Sequence, residues 1–392
     1  MADKSIKSVT IKNFKSVIET TIQLGGFNVF IGANGCGKSN ILEAIALGAA
    51  ASSDKMDFEY FANRGIRITD PSLLLPKFDN TAKDNINISI IDIINKSSSF
   101  DISFNSNTSA RWIVKKESDL NSEIKYKIEH NELDFNEFFG SLLKEEKRFP
   151  NNDYGNNILI SFPTHGGYSI MPITNLNDFM IFSLGETKLR KSEVTNRIYP
   201  LDIHGEGLFA YLKEISKRES SNAFFNELKE NLTVFDWFDD IEIPQNQLSN
   251  EFIISLKDYY LDETLNTFDQ RSTNEGFLYL LFYLTLIISD ETPKFFAIEN
   301  IDSSFNPKLC REVIRRLIVL AKKHGKQIIA TTHNPSVLDG LDLEDDDVRL
   351  YTIRRTIDGD TKASRVTLKS ELTIPLSEAW QRGYIGGLPN NF

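Results

Sequence analysis

The sequence predicts an α/β fold, a mixed sheet with flanking helices plus an antiparallel, β-rich and helical middle region. Three observations predict it. A glycine-rich turn, Gly32-Ala33-Asn34-Gly35-Cys36-Gly37-Lys38-Ser39, separates the apolar run FNVFIG from the Ala/Leu-rich segment SNILEAIALGAAAS. From 276 onward the pattern alternates helix, strand, helix, strand, helix, strand, which is the order of a layered sheet. Between about 86 and 131, short β-branched runs (INISIIDII, FDISF, ARWIV, EIKYKI) are separated by Asn/Ser turns. That block reads as an antiparallel sheet, either part of the main lobe or an insertion on it.

Taken in order, residues 6–31 read as strands, with Ile6, Val9, Ile11 and Phe14 as apolar positions. Residues 51–80, with Pro71 and Pro76, are loop-like, and 134–147 look helical. PNNDYGNN (150–157) is a turn-rich linker, 205–231 read as helices and 251–260 as a strand. The expected division is an N-terminal lobe over 1–80, a middle region over 81–205 and a C-terminal lobe over 206–392. No repeat of 20–50 residues and no sustained heptad register is visible, which argues against a long coiled-coil arm.

Composition narrows the function classes. With 41% hydrophobic and 25% charged residues, a disordered or fibrous chain is excluded. Lys and Arg number 44 against 55 Asp and Glu, a net charge of −11. Such a chain does not coat DNA, so any nucleic-acid contact needs a local basic patch, and anionic membrane surfaces are poor partners. Two cysteines, Cys36 and Cys310, rule out a disulfide scaffold and point to a reducing compartment. The N-terminus lacks the apolar core of a signal peptide. The longest apolar run, Phe277–Ile288, is about half a bilayer span. The expectation is a soluble, cytoplasmic protein.

The turn at 32–39 is a complete G-x-x-x-x-G-K-[ST]. Glycines let backbone N–H groups curl around phosphate oxygens, and the following helix aims its positive N-terminus at the anion. Lys38 would reach the β- and γ-phosphates, and the Ser39 hydroxyl would ligate Mg²⁺. Asn34, Gly35, Cys36, Gly37, Lys38, Ser39 and Asn40 are the candidate cradle. Composition alone would produce the pattern in roughly one chain in a hundred of this length. Here its strand-loop-helix setting argues against coincidence. Cys36 reads as a small loop filler rather than a redox thiol. The loop reads only phosphates, but no N-K-x-D motif for guanine follows, since Asn95-Lys96 is succeeded by Ser97-Ser98.

About 260 residues later, Lys-Phe-Phe-Ala-Ile-Glu-Asn-Ile-Asp (294–302) is an apolar strand ending in Glu299. A carboxylate there can hold the Mg²⁺ shell. In these motifs the chain resembles ABC-type head-domain ATPases of the RecF, SMC and OLD branch, over residues 6–45 and about 270–340. That resemblance implies ATP as nucleotide, with Glu299 in place of the family's Mg²⁺-linked Asp. Asn300 stands in place of its water-polarising Glu. A neutral amide orients a water but cannot accept its proton, so slow hydrolysis is expected. His333, in TTHNP after the strand QIIA, matches the family's switch histidine. Ser272, Asn274 and Gly276 occupy the place of the signature that caps the γ-phosphate of an opposite subunit, which would make ATP the glue of a dimer. Their other reading is an ordinary helix cap. Lys15 and Ser16 match positions that touch nucleotide in the family; alternatively Lys15 is a solvated base beside core Phe14.

The chain is also similar to stand-alone ATPase subunits of bacterial anti-phage systems such as PARIS and Septu. This implies a homodimer or higher homo-oligomer whose nucleotide state restrains or triggers a separate effector, a nuclease. Two alternatives stay open. One is a RecF-like repair ATPase that binds DNA, with ETKLRKSEVTNR (186–197) as the best local candidate for a phosphate contact. The other is an ATP-binding scaffold with negligible turnover.

Overall fold

Phe27–Ile31 is buried at every position, so both its faces must meet other layers. It is a central strand of the computed structural model, which describes residues 6–67, 70–77, 85–93, 95–105, 111–118, 175–191, 200–219, 221–244, 253–262, 267–367 and 374–388. The elements used below are, in chain order, β1 (Ile6–Phe14), β2 (Val17–Gln23), β3 (Phe27–Ile31), α1 (Lys38–Ser52), β4 (Ile86–Asp92), β5 (Ser97–Asn105), β6 (Arg111–Ser118), β7 (Ile181–Phe182), α2 (Leu208–Ser216), α3 (Ser221–Leu232), β8 (Phe238–Glu242), β9 (Ser255–Asp258), β10 (Thr267–Asp269), α4 (Glu275–Ile288), β11 (Phe295–Ile298), α5 (Pro307–Lys323), β12 (Gln327–Thr332), β13 (Val348–Arg355), β14 (Thr361–Val366) and α6 (Leu376–Gln381).

The main sheet has the order β14-β13-β3-β12-β11-β7. It is parallel except at β14, which returns antiparallel to β13. A second, antiparallel sheet has the order β2-β1-β4-β5-β6. The β-branched middle block is therefore joined to the N-terminal strands, through β4 on β1. A small sheet, β10-β9-β8, completes the strands. The strand expected at EIKYKI, the helix at 134–147 and the linker at 150–157 lie outside the described residues.

α1 lies between the two large sheets. Twelve of its positions are buried, on all sides, which an amphipathic surface helix would not show. Its Ala residues and Gly48, which lacks a side chain, permit this. A Cβ at Gly48 would stand 2.9 Å from Ile88 Cγ2, so the helix rests almost directly on β4. On the other face of the main sheet, α4 is buried from Gly276 to Ile288. α5 shows the contrasting pattern, burying Cys310, Val313, Ile314, Leu317, Leu320 and Ala321 at helical spacing. Asn274 and Asn306 cap these two helices by accepting from Phe277 N (2.8 Å) and Leu309 N (2.9 Å). No described helix is long and apolar enough to cross a membrane.

Between β12 and β13 the alternation holds only as a short 3-10 segment, Pro335–Gly340. The reason is steric and chemical. Pro335 and the Asn334 cap start the segment, and Gly340 then packs so tightly on α5 that a Cβ would lie 2.8 Å from Arg311 O. The loop-like stretch 51–80 likewise contains two short turns of helix, Phe58–Ala62 and Pro71–Leu74.

Candidate functional site

β3 ends at Ile31, and the glycine-rich loop leaves it under close steric control. A Cβ at Gly32 would lie 2.1 Å from Ile353 O on β13. Gly35 and Gly37 have φ of 75° and 105°, a region that side chains avoid. Asn34 and Gly35 are exposed at the rim, and a Cβ at Gly35 would meet nothing within 4 Å. Lys38 is buried, its Nζ donating to Gly32 O (2.6 Å) and Ala33 O (3.1 Å) inside the loop. Among the described residues, the amides of Gly37 and Ser39 find no acceptor, while that of Lys38 faces the Cys36 sulfur. Those of Gly37 and Ser39 are the free donors at the start of α1. The loop thus fits a polyphosphate: unsatisfied amides, a helix N-terminus and an ammonium belong to one short turn. Burial pushes the Cys36 thiol up despite Lys38 nearby, so it is a protonated filler rather than a thiolate.

Strand register supplies the other candidates. Thr332 pairs with Ile31, and Ala330 with Ile298, so Gly32, Glu299 and His333 all lie at the C-terminal ends of adjacent parallel strands. That edge is where open α/β sheets bind ligands. Ser39 Oγ and Glu299 Oε1 are in direct hydrogen-bond contact across 260 residues of chain. Asn300 is exposed with φ of 50°, and its amide donates to Thr331 Oγ1 (3.0 Å). Next to it, Ile301 N donates to Thr331 O (3.1 Å). Thr332 Oγ1 donates to Asp302 Oδ1 (2.6 Å) and accepts from Asn334 N (2.9 Å). The exposed His333 lies between these anchored residues.

Lys15 is placed differently from a free base. Its Nζ is paired with Glu43 Oε2, and also donates to Arg67 O (3.1 Å). Arg67 Nε bonds the other Glu43 oxygen at 2.5 Å. Glu43 is 1% exposed and lies one helical turn beyond Ser39 on α1, so two cations neutralise one buried carboxylate beneath the loop. Burial alone would lower the Arg67 guanidinium, but Glu43 and Glu299 together raise it. Ser16 is buried, with its Oγ 2.7 Å from Thr361 Oγ1 and accepting from Asn40 Nδ2 at 2.6 Å.

Ser272 and Asn274 are exposed at the start of α4, and Asn274 is its cap. A Cβ at Gly276 would lie 2.8 Å from Ser304 O, so the helix start sits on the turn that follows β11. Arg190 Nη1 gathers three carbonyls of this segment, Gln270 O (3.0 Å), Arg271 O (3.1 Å) and Thr273 O (2.9 Å). Lys188 and Lys191 both pair with Glu206. These three cations of the segment 186–197 hold the protein's own chain; 192–199 lie outside the described residues. Sequence reasoning passed over Glu43, Arg67 and Thr361, and reached Arg190 only within ETKLRKSEVTNR, as a candidate phosphate contact.

The family model described as "AAA domain, putative AbiEii toxin, Type IV TA system" matches residues 27–339. The chain belongs to this AAA family. No curated protein sequence matches it. Two solved structures share the AAA chain's architecture. One is an SMC head bound to the C-terminal winged-helix domain of ScpA, with TM-score 0.55, 16% identity, and coverage of 93% of this chain and 98% of that one. The other is the Smc head domain of Pyrococcus furiosus with an extended coiled coil, bound to the C-terminal domain of ScpA. It has TM-score 0.52 at 12% identity, covering 96% and 98% of the two chains. At such identities the likeness establishes the fold, that of a P-loop ATPase head.

Proposed function

We propose that this AAA-family chain binds ATP with Mg²⁺ at Gly32–Ser39, hydrolyses it slowly, and uses the bound state to close a two-fold dimer that controls a separate nuclease in anti-phage defence. The observation that carries the ATP reading is the cradle itself. Among the described residues, the Gly37 and Ser39 amides have no acceptor and the Lys38 ammonium is held inside the same loop, with Ser39 and Glu299 in contact beside it. In this reading Asn34, Gly35, Cys36 and Gly37 wrap the phosphates, while Lys38 exchanges its loop carbonyls for phosphate oxygens. Asn40 fixes the first turn of α1 through Ser16. Ser39 and Glu299 would hold Mg²⁺, which would supply neutralisation of phosphate charge. Asn300 orients a water, and His333 meets the γ-phosphate. Ser272, Asn274 and Gly276 face the nucleotide of a second copy. Lys15 acts indirectly, by neutralising Glu43 behind the loop.

Control of an effector rests on the resemblance to anti-phage ATPase subunits and on the family description, which names a toxin of a toxin–antitoxin system. The SMC heads described above are bound to a partner domain, which is in keeping with a head that works through another protein. Calorimetry with ATP and Mg²⁺, comparing wild type and Lys38→Ala, tests the first part. Uptake by wild type and none by the variant is expected. Recovery of a nuclease with the tagged chain from its host, and loss of phage protection on deleting it, tests the second; absence of both results defeats it. Asn300 favours a second reading, an ATP-holding scaffold without turnover. Equal phosphate release by wild type and Lys38→Ala, with ATP affinity retained in wild type, would select it.

A further inference from the structure

The loop that reads the phosphates is held from behind by a chain of hydrogen bonds that closes on itself. Asn40 Nδ2 can only donate, and it donates to Ser16 Oγ at 2.6 Å. Cys36 O can only accept, and it accepts from Thr361 Oγ1 at 3.0 Å. Thr361 has one hydroxyl proton, and it is spent on Cys36 O. The 2.7 Å contact between Ser16 Oγ and Thr361 Oγ1 must then run from Ser16 to Thr361. The order is Asn40, Ser16, Thr361, Cys36 O, each donating to the next, and both ends lie on the phosphate loop and the first turn of its helix. Ser16 and Thr361 are 5% and 0% exposed, so water does not compete for these bonds. Thr361 N also donates to Ser16 O (2.7 Å), and Ile18 N to Asp360 Oδ1 (2.9 Å), which clamp the β13–β14 hairpin to the β1–β2 turn.

The consequence for the loop follows from the planarity of the peptide unit. In a trans peptide the carbonyl and the following N–H point to opposite sides. Thr361 holds the Cys36 carbonyl, so the Gly37 amide is turned away from Thr361, and among the described residues it has no acceptor of its own. Contact is close enough to exclude a side chain: a Cβ at Gly37 would lie 2.2 Å from Thr361 Oγ1. Gly37 is thus required twice, by its φ of 105° and by Thr361 behind it. We infer that Thr361, on a strand 322 residues after Ser39 in the chain (361 minus 39), is a positioning residue that sets the phosphate-facing amide of Gly37, with Ser16 orienting its hydroxyl. The inference rests on the ATP reading above and gives Ser16 a role without nucleotide contact.

Calorimetry of the full chain with ATP and Mg²⁺, with thermal melts alongside, tests it. Thr361→Val keeps the shape and removes the hydroxyl; ATP affinity should fall about tenfold. Thr361→Ser keeps the hydroxyl and should bind within about twofold of wild type. Ser16→Ala should weaken binding about threefold, and should add nothing further to Thr361→Val, because both act on one chain. If Thr361→Val does not fold, the Ser16→Ala loss and the Thr361→Ser rescue still decide. Wild-type affinity in Thr361→Val, even with a lower melting temperature, would reduce the threonine to a structural brace and overturn the inference. So would equal losses in Thr361→Val and Thr361→Ser. Failure of wild type to take up ATP is a separate result and defeats the ATP reading itself.

Discussion

Asn300 combines a backbone and a chemical choice at one position. Its φ of 50° is a conformation that Asn tolerates better than Glu, and its backbone N–H is fixed on Thr331 Oγ1. Asn300→Glu should therefore cost about 1 kcal/mol of stability yet raise ATP turnover at least about tenfold, because a carboxylate can take the proton of an attacking water. Phosphate release at saturating ATP checks this; unchanged turnover would place Asn300 away from the attacking water. Lys326 presents a different single-residue problem. It is 2% exposed, and its Nζ donates to Ser289 O, Thr292 O and Thr292 Oγ1, at 2.7, 3.0 and 2.7 Å. Burial pushes its pKa down from 10.5 to about 7. Between those values the unfolded chain holds the proton and the folded chain releases it. Stability from this group is thus fully present above 10.5 and is lost as pH falls through about 7. The margin of wild type over Lys326→Met in urea melts should widen from pH 7 to pH 9; a constant margin would refute the shift.

At the scale of elements, the joint between the turn after β11 and the turn after β12 decides where His333 sits. Thr332 spans it by bonding Asp302, a carboxylate only 9% exposed. Thr332→Val preserves volume but strips that bond, and should cost about 1–3 kcal/mol in a denaturant titration. A loss below experimental error would mean that Asp302 finds another donor. The elements forming this joint were legible in the sequence because each announces itself locally. The buried strands β3, β11 and β12 carry the short apolar runs VFI, FFAI and IIA, and the glycine-rich loop stands between a strand and a helix. β14 was not legible: TKASRV has no apolar alternation, and it is a strand because it pairs with β13. β7 has two residues and exists only beside β11. The same division runs through the site. Gly32–Ser39 and Glu299 were readable from neighbours in sequence, whereas Glu43 acquires meaning from Lys15 and Arg67, and Thr361 from Ser16, 345 residues away.

At the scale of the whole molecule, the proposed dimer implies that each site draws on two chains. Ser272 is exposed at the start of α4, held there by the Asn274 cap and by Arg190 on the carbonyls beside it. Among the described residues, no hydrogen bond joins Ser272, Asn274 or Gly276 to Gly32–Asn40. A two-fold dimer would let each chain's α4 start complete the other's phosphate loop. Ser272→Arg places a bulky cation on an exposed position, so the fold should survive while closure over nucleotide fails. Lys38→Ala removes the loop's ammonium and should abolish ATP uptake. Each variant alone should be inactive in phosphate release. In a one-to-one mixture, random pairing makes half of the dimers mixed. Each mixed dimer joins an intact loop from the Ser272→Arg chain to an intact α4 start from the Lys38→Ala chain, at one of its two sites. Turnover should recover to about a quarter of wild type, since half of the dimers carry half of their sites. No recovery on mixing, with both variants folded and the wild type active, would show that each chain completes its own site.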